Sequence, residues 1–242
     1  MPSLLITGAS AGIGRAVAET FLAEGWTLGL LARRREALEE VAAGHDRAIV
    51  LPADVSKPQD VDAAFDSFTS QAGRLDVLFN NAGLFTEAAP IDEVSVEDWS
   101  RAVSVNLTGM FLCARAAFAR MRSQTPQGGR IINNGSVSAH VPRAGAVTYT
   151  VTKHGVTGLT RQISLDGRPF DIACGQIDIG NARTELLQGI VDASVRDGVA
   201  PPPTMDVSDV ARSVLHMATL PLEANVQFMT VMATKMPYIG RG

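Results

Sequence analysis

The sequence predicts a doubly wound α/β fold, a single domain in which one parallel sheet of about seven strands carries helices on both faces. Three observations carry that prediction. Short apolar runs alternate along the chain with stretches whose apolar residues recur at helical spacing. The apolar runs are continuous rather than alternating, as strands are when both faces of a sheet are covered. The first run ends in a glycine-rich turn, and a helical pattern follows at once.

Taken in order, Leu4–Thr7 is the first strand, and Ile13, Val17 and Phe21 mark a helix that runs up to Gly25. Thr27–Ala32 is the second strand, Arg35–Ala43 a helix and Ala48–Leu51 the third strand. Ser56 offers an N-cap to a helix from Pro58 to Gln71, because proline suits a first helical turn. Val77–Phe79 is the fourth strand. A long helical region from Val96 to Arg122 precedes the strand Arg130–Asn133 and the helix Thr148–Leu165. Ile172–Ile177 is the sixth strand, Val207–Thr219 a helix and Val226–Val231 the last strand. Pro201, Pro202 and Pro203 read as a stiff loop, and no linker or repeat divides residues 1–242.

Composition narrows the function. The 242 residues are 46% hydrophobic and 19% charged, enough for a sizeable core. A formal net charge of -4 argues against nucleic acid as a partner, since neutralising phosphates needs clustered Lys and Arg. No run approaches the roughly 20 apolar residues that span a bilayer, and the start lacks the regions of a signal peptide. A cytoplasmic protein with no membrane partner is therefore expected. Cys113 and Cys174 lie in apolar stretches and read as buried reduced thiols. The four histidines, His45, His140, His154 and His216, show no metal-ligand spacing, so no metal site is expected.

Ligands of such a sheet bind beyond the carboxyl ends of the strands, where the connections diverge. The first turn there is Thr7-Gly8-Ala9-Ser10-Ala11-Gly12-Ile13-Gly14. Its glycines let backbone approach a diphosphate closely, and the following helix presents free N–H groups and the positive end of its dipole. The spacing is G-x-x-x-G-x-G rather than G-x-G-x-x-G, and by itself the turn is also compatible with a plain strand-to-helix connection.

Further motifs follow in order: Asp54-Val55 after the third strand, Asn80-Asn81-Ala82-Gly83 after the fourth, and Asn106 in the long helix. Ser136 lies after the fifth, and Tyr149-Thr-Val-Thr-Lys153 on the next helix. With these the chain resembles the short-chain dehydrogenase/reductase family along nearly its whole length. The resemblance implies a Rossmann-type domain that moves a hydride between a nicotinamide cofactor and a carbonyl or alcohol carbon of a small molecule. It further implies that Asp54 and Val55 contact the adenine, and that Asn80 to Gly83, including Asn81 and Ala82, support the sheet and the cofactor's sugar. By the same resemblance Lys153 holds the nicotinamide ribose, and Asn106 positions a water that links Lys153 to solvent. The Ser136-to-Tyr149 spacing is the family's usual one.

The chemistry of the last group agrees. Tyr149 and Lys153 are four residues apart on a predicted helix, so both side chains leave one face. A free phenol has a pKa near about 10, and positive charge from Lys153 and an oxidised nicotinamide would lower it. Tyr149 would then give a proton to the carbonyl oxygen in reduction and take one in oxidation, while Ser136 hydrogen-bonds the same oxygen. In isolation the Tyr–Lys pair is also what a packing or surface pair looks like, Ser138 is a possible substitute for Ser136, and Asn106 could simply bond backbone. A cofactor-binding protein without catalysis is the rival reading.

After the sixth strand the family usually has Pro-Gly, an aliphatic residue and Thr, whereas this chain has Ile179-Gly180-Asn-Ala182-Arg-Thr184. Ile179, Gly180, Ala182 and Thr184 remain the expected contacts of the nicotinamide carboxamide. The family's closing glycine-rich segment is missing from Met236 onward. The second strand ends without a carboxylate and runs into Arg33 and Arg34, which suit an adenosine 2'-phosphate, so NADP(H) is expected in preference to NAD(H). The substrate pocket should form from residues 84–90, 138–143 and 184–203, with Phe85, Val141, Leu186 and Leu187 beside His140 and Arg143. Residues 184–203 should form a lid. Apolar residues at helical spacing from Leu107 to Met121 mostly face the sheet, and the resemblance implies a homodimer or homotetramer.

Overall fold

The computed structural model describes residues 1–196 and 198–239. Asp197 of the expected lid, the side chain of Leu186 and residues 240–242 lie outside the described residues. Strand β1 (Ser3–Thr7) leads into helix α1 (Gly12–Ala23), then β2 (Thr27–Ala32), α2 (Arg35–Ala42), β3 (Ala48–Pro52) and α3 (Pro58–Ala72). β4 (Val77–Asn80) is followed by α4 (Val96–Val103), a π-helical turn (Ser104–Gly109) and α5 (Met110–Ser123). β5 (Gly129–Asn134), a 3-10 turn (Val137–Ala139), α6 (Val147–Gly167) and β6 (Ile172–Ile179) complete the central part. The rest is β7 (Ala182–Arg183), α7 (Glu185–Arg196), β8 (Met205–Asp206), α8 (Val207–Thr219) and β9 (Phe228–Val231).

Seven parallel strands form the main sheet in the order β3-β2-β1-β4-β5-β6-β9. The direction of winding reverses between β1 and β4, which opens a crevice above their carboxyl ends. Two apolar layers cover the sheet. One packs Val17, Phe21, Leu38, Val210 and Val214 against Leu4, Ile6, Leu28 and Phe79. The other packs Phe65, Phe68, Leu112 and Ala117 against Leu5, Leu31, Leu78 and Ile131. Each fully buried leucine or phenylalanine contributes about 1.5–3 kcal/mol. Cys113 and Cys174 are buried free thiols, as their apolar neighbours suggested.

Three local expectations need correction. Ser56 does not cap α3, because its hydroxyl and N–H both go to Asp54 Oδ1, at 2.7 and 3.0 Å, and Lys57 takes the cap position. The last strand begins at Phe228 rather than Val226. The long helix carries a π-turn where a uniform helix was expected, and such turns often mark functional positions. A second, two-stranded sheet pairs β7 with β8 and brackets residues 184–204, a long-range pairing that local pattern does not signal. Val96–Ser123 is the one helix among the described residues long and apolar enough to cross a membrane. Half of its most apolar window is buried, with Leu112, Cys113, Ala117 and Met121 packed in the layer on β4 and β5.

Candidate active site

A cavity of about 870 Å³ occupies the crevice and is lined from the carboxyl ends of β1 through β6. Of the residues expected to hold a cofactor, Gly8, Ser10, Ala11, Gly12, Ile13, Arg33, Arg34, Asp54, Val55, Asn81, Ala82, Gly83, Ile179, Gly180, Ala182 and Thr184 line it. Gly14 lies beneath the turn. A Cβ there would sit 2.2 Å from the Gly8 carbonyl oxygen, so only glycine lets α1 start this close under the loop. Gly8 and Gly12 adopt φ of 69° and 54°, which turns the backbone sharply before the helix opens at Gly12. The turn thus offers free N–H groups over a concave, side-chain-poor cradle, which fits a diphosphate. Thr184 Cγ2 would lie 3.4 Å from a Cβ at Gly12, so the segment after β6 closes over the cradle.

Asn81 is fixed to this turn from below. Thr7 Oγ1 accepts from the N–H groups of Asn81 and Ala82 at 2.8 and 2.9 Å, and Asn81 Nδ2 donates to the Thr7 carbonyl at 2.9 Å. At the other end Arg33 and Arg34 are exposed at the tip of β2. Burial pushes the Asp54 carboxyl up, but hydrogen bonds from Ser56 and the charges of Arg33 and Lys57 outweigh it and hold the group below its ordinary value.

Ser136, Tyr149 and Lys153 line the same cavity deeper in. Lys153 is buried, and its ammonium donates to the Asn134 carbonyl at 2.6 Å. Burial lowers its pKa to about 8, against the favourable charge of Asp178. The Lys153 Nζ lies 5.5 Å from the Tyr149 ring centre, and the Arg143 guanidinium lies 6.0 Å from it. Phe85 stacks on that ring at 4.3 Å. Burial raises the phenol pKa, and the Ser136 hydrogen bond and Arg143 charge oppose the rise without cancelling it. Desolvation is the largest effect on the phenol, and the positive charge that opposes it here is that of Arg143. Ser138 also lines the cavity and is buried, but the hydroxyl that engages Tyr149 is that of Ser136.

A family model described as short chain dehydrogenase matches residues 3–194. The chain belongs to the short-chain dehydrogenase family. Sulfoacetaldehyde reductase 2 of Chromohalobacter salexigens is 31% identical over 97% of this chain and 95% of its own length. The 2-(R)-hydroxypropyl-CoM dehydrogenase of Xanthobacter autotrophicus is 36% identical over 81% of this chain and 80% of its own. The 3-ketoacyl-(acyl-carrier-protein) reductase of Brucella melitensis, solved with NADH, superposes with a TM-score of 0.84 at 27% identity over 96% of both chains. This chain is accordingly an oxidoreductase of the family whose relatives are dehydrogenases and reductases.

Three residues of this short-chain dehydrogenase, Asn106, His140 and Val141, do not line the cavity. Asn106 lies in the π-turn behind the cavity, and both polar atoms of its side chain bond Leu84, Oδ1 accepting from N–H at 2.8 Å and Nδ2 donating to the carbonyl at 2.9 Å. It anchors the loop after β4, the bond to backbone that such a residue can make. His140 and Val141 fall outside the lining, whereas Phe85, Arg143 and Leu187 are part of it. The sequence reading missed Asp178, fully buried at the end of β6 and hydrogen-bonded to Ser136. An acid inside an apolar strand was the available signal, since such a charge is costly unless it is met.

Proposed function

We propose that this dehydrogenase interconverts a carbonyl and an alcohol on a small molecule, with Tyr149 as general acid and base. The observation that carries the reading is that Ser136, Tyr149 and Lys153 face one cavity together with the glycine turn. The turn Gly8 to Gly14 would hold the diphosphate, Asp54 and Val55 the adenine, Asn81 to Gly83 the sugar, and Ile179, Gly180, Ala182 and Thr184 the carboxamide. A bound nicotinamide supplies the hydride in reduction and takes it in oxidation. Tyr149 gives its proton to the carbonyl oxygen, and Ser136 holds that oxygen in place. Lys153 binds the ribose and, with a water positioned by Asn106, passes the replacement proton to Tyr149. A phenol pKa above the ordinary value keeps Tyr149 protonated at neutral pH, which favours reduction there and makes oxidation rise with pH. Following the absorbance of reduced nicotinamide with a panel of aldehydes and ketones tests the reading; no turnover with any of them would leave a cofactor-binding protein without catalysis.

NADP(H) is the proposed cofactor in preference to NAD(H), because Arg33 and Arg34 line the adenine end and β2 ends without a carboxylate. Arg33→Asp should reverse the preference by about tenfold or more, through repulsion of the 2'-phosphate and a new acceptor for ribose hydroxyls. Equal use of NADH and NADPH by the unaltered protein, with a ratio indifferent to Arg33→Asp, would refute the preference.

Residues 184–203 are proposed to act as a lid, hinged where β7 pairs with β8 and where Asn181 Nδ2 holds the Pro203 carbonyl at 3.1 Å. A homodimer or homotetramer is proposed in addition, on the exposed Phe111 and Val151 of α5 and α6. Hydrogen exchange should be fast in the lid and slow on adding NADPH, and light scattering should give a multiple of 25.6 kDa. Exchange matching the core strands, or a monomeric mass at micromolar concentration, would remove the corresponding proposal.

A further inference from the structure

β5 ends at Asn134, and the chain leaves the sheet there. The Gly135 N–H makes the last ladder bond, to the Ile177 carbonyl at 2.8 Å, which leaves the next donor, the Ser136 N–H, without a strand partner. Asp178 supplies one. Its Oδ1 accepts from the Ser136 N–H at 2.9 Å and from Gln176 Nε2 at 2.7 Å. Its Oδ2 lies 2.8 Å from His140 Nε2. Between Ser136 and His140 runs the 3-10 turn, with Ser136 Oγ accepting from the Ser138 N–H and the His140 N–H returning to the Val137 carbonyl. One carboxylate therefore grips the residues at both ends of the turn.

The fit is tight on every side. A Cβ at Gly135 would lie 2.1 Å from Asp178 Oδ1, so the carboxylate can occupy this place only because position 135 has no side chain. Gln176 extends the tie to α6: its Nε2 donates to Thr157 Oγ1 at 3.0 Å, and its Oε1 accepts from Thr160 Oγ1 at 3.1 Å. The loop with Ser136, the strand β6 and the helix with Tyr149 and Lys153 thus meet at one buried acid.

We propose that Asp178, assisted by His140, is a positioning residue that clamps the turn carrying Ser136 so that its hydroxyl faces Tyr149. The inference rests on the oxidoreductase reading above. The titratable groups that face Asp178 are His140 at the end of the turn and Tyr149 and Lys153 on α6; Arg143 stands against the Tyr149 ring. The Asp178 charge favours the Lys153 ammonium and disfavours the Tyr149 phenolate. A group that merely stapled the loop to β6 would affect stability alone, whereas a clamp on this site must also be felt by the phenol.

The chain has two tyrosines, so in Tyr238→Phe protein the ultraviolet absorbance of phenolate titrates Tyr149 alone. Adding Asp178→Asn to that protein should move the midpoint up, because the Ser136 hydrogen bond that lowers the phenol is lost with the clamp and outweighs the smaller effect of the Asp178 charge, whose removal alone would move it down. Turnover should fall about tenfold as Ser136 loses its fixed geometry, with the Kd for NADPH unchanged. A midpoint that is unchanged or falls overturns the proposal, and so does unchanged turnover, whatever happens to thermal stability. If Asp178→Asn does not fold, the half-exposed His140 replaces it as the test. His140→Leu should lose turnover about fivefold and His140→Gln, whose amide N–H can reach Oδ2, should recover most of it; equal behaviour of the two overturns the clamp. Absence of turnover in unaltered protein removes the oxidoreductase reading, while the phenol titration, which needs no turnover, still decides the clamp.

Discussion

Tyr149→Phe should lower turnover by at least about 10²- to 10⁴-fold, the usual worth of general acid catalysis, while fold and NADPH affinity stay close to those of the unaltered protein. The substitution deletes one oxygen and keeps the ring. Its stacking on Phe85 at 4.3 Å survives, as does nearly all of its packing volume. What is lost is the proton that reaches the carbonyl oxygen and the partner of the Ser136 hydroxyl. A packing role for Tyr149 predicts the opposite pattern, in which Phe is tolerated and a smaller residue damages stability through a cavity. Activity within about threefold of the unaltered protein would rule out Tyr149 as the acid.

Lys153→Met should abolish most activity by a different route and leave a distinct signature in stability. Lys153 is buried, and its pKa falls from 10.5 to about 8 on folding. Between those values the unfolded chain binds more protons than the folded one, so this group makes stability rise with pH across the window. Below about pH 8 its destabilising effect is fully present. The window corresponds to about 3 kcal/mol at 1.36 kcal/mol per unit. The methionine variant has no such group and should lack the rise. Urea unfolding of both proteins at neutral pH and again near the top of the window measures the difference directly. Parallel pH dependence in the two proteins would mean that Lys153 does not titrate as a buried ammonium. In activity, the variant should need more NADPH, because the Asn134 carbonyl that positions the ammonium at 2.6 Å is left without its donor and the ribose loses a contact.

Most of the architecture was legible because it depends on local pattern. Continuous apolar runs and helical spacing placed the sheet strands within a residue or two, and the glycine turn located the start of α1. What pattern does not show is which of two available partners a side chain takes. Ser56 sits where a cap is expected, yet Asp54, two residues back, takes its hydroxyl and its N–H. Asn106, which the family pattern implies positions a water, also holds Leu84 across the loop through its amide. Neither outcome can be foreseen from neighbours in sequence, because the competing acceptors are set by how the chain folds back.

By itself the sequence determined the fold class, the family and the residues that converge on the cavity, since spacing along a helix or after a strand decides which side chains share a face. The electrostatic state of those residues was decided only in the tertiary structure. Desolvation grows with the atoms packed around a group, and those atoms come from β5, β6 and α6 together, so the raised phenol of Tyr149 and the lowered ammonium of Lys153 have no local signature. The same holds for Asp178, an acid in an apolar strand whose partners, Ser136 and His140, lie about forty residues earlier and reach it only when β5 and β6 pair.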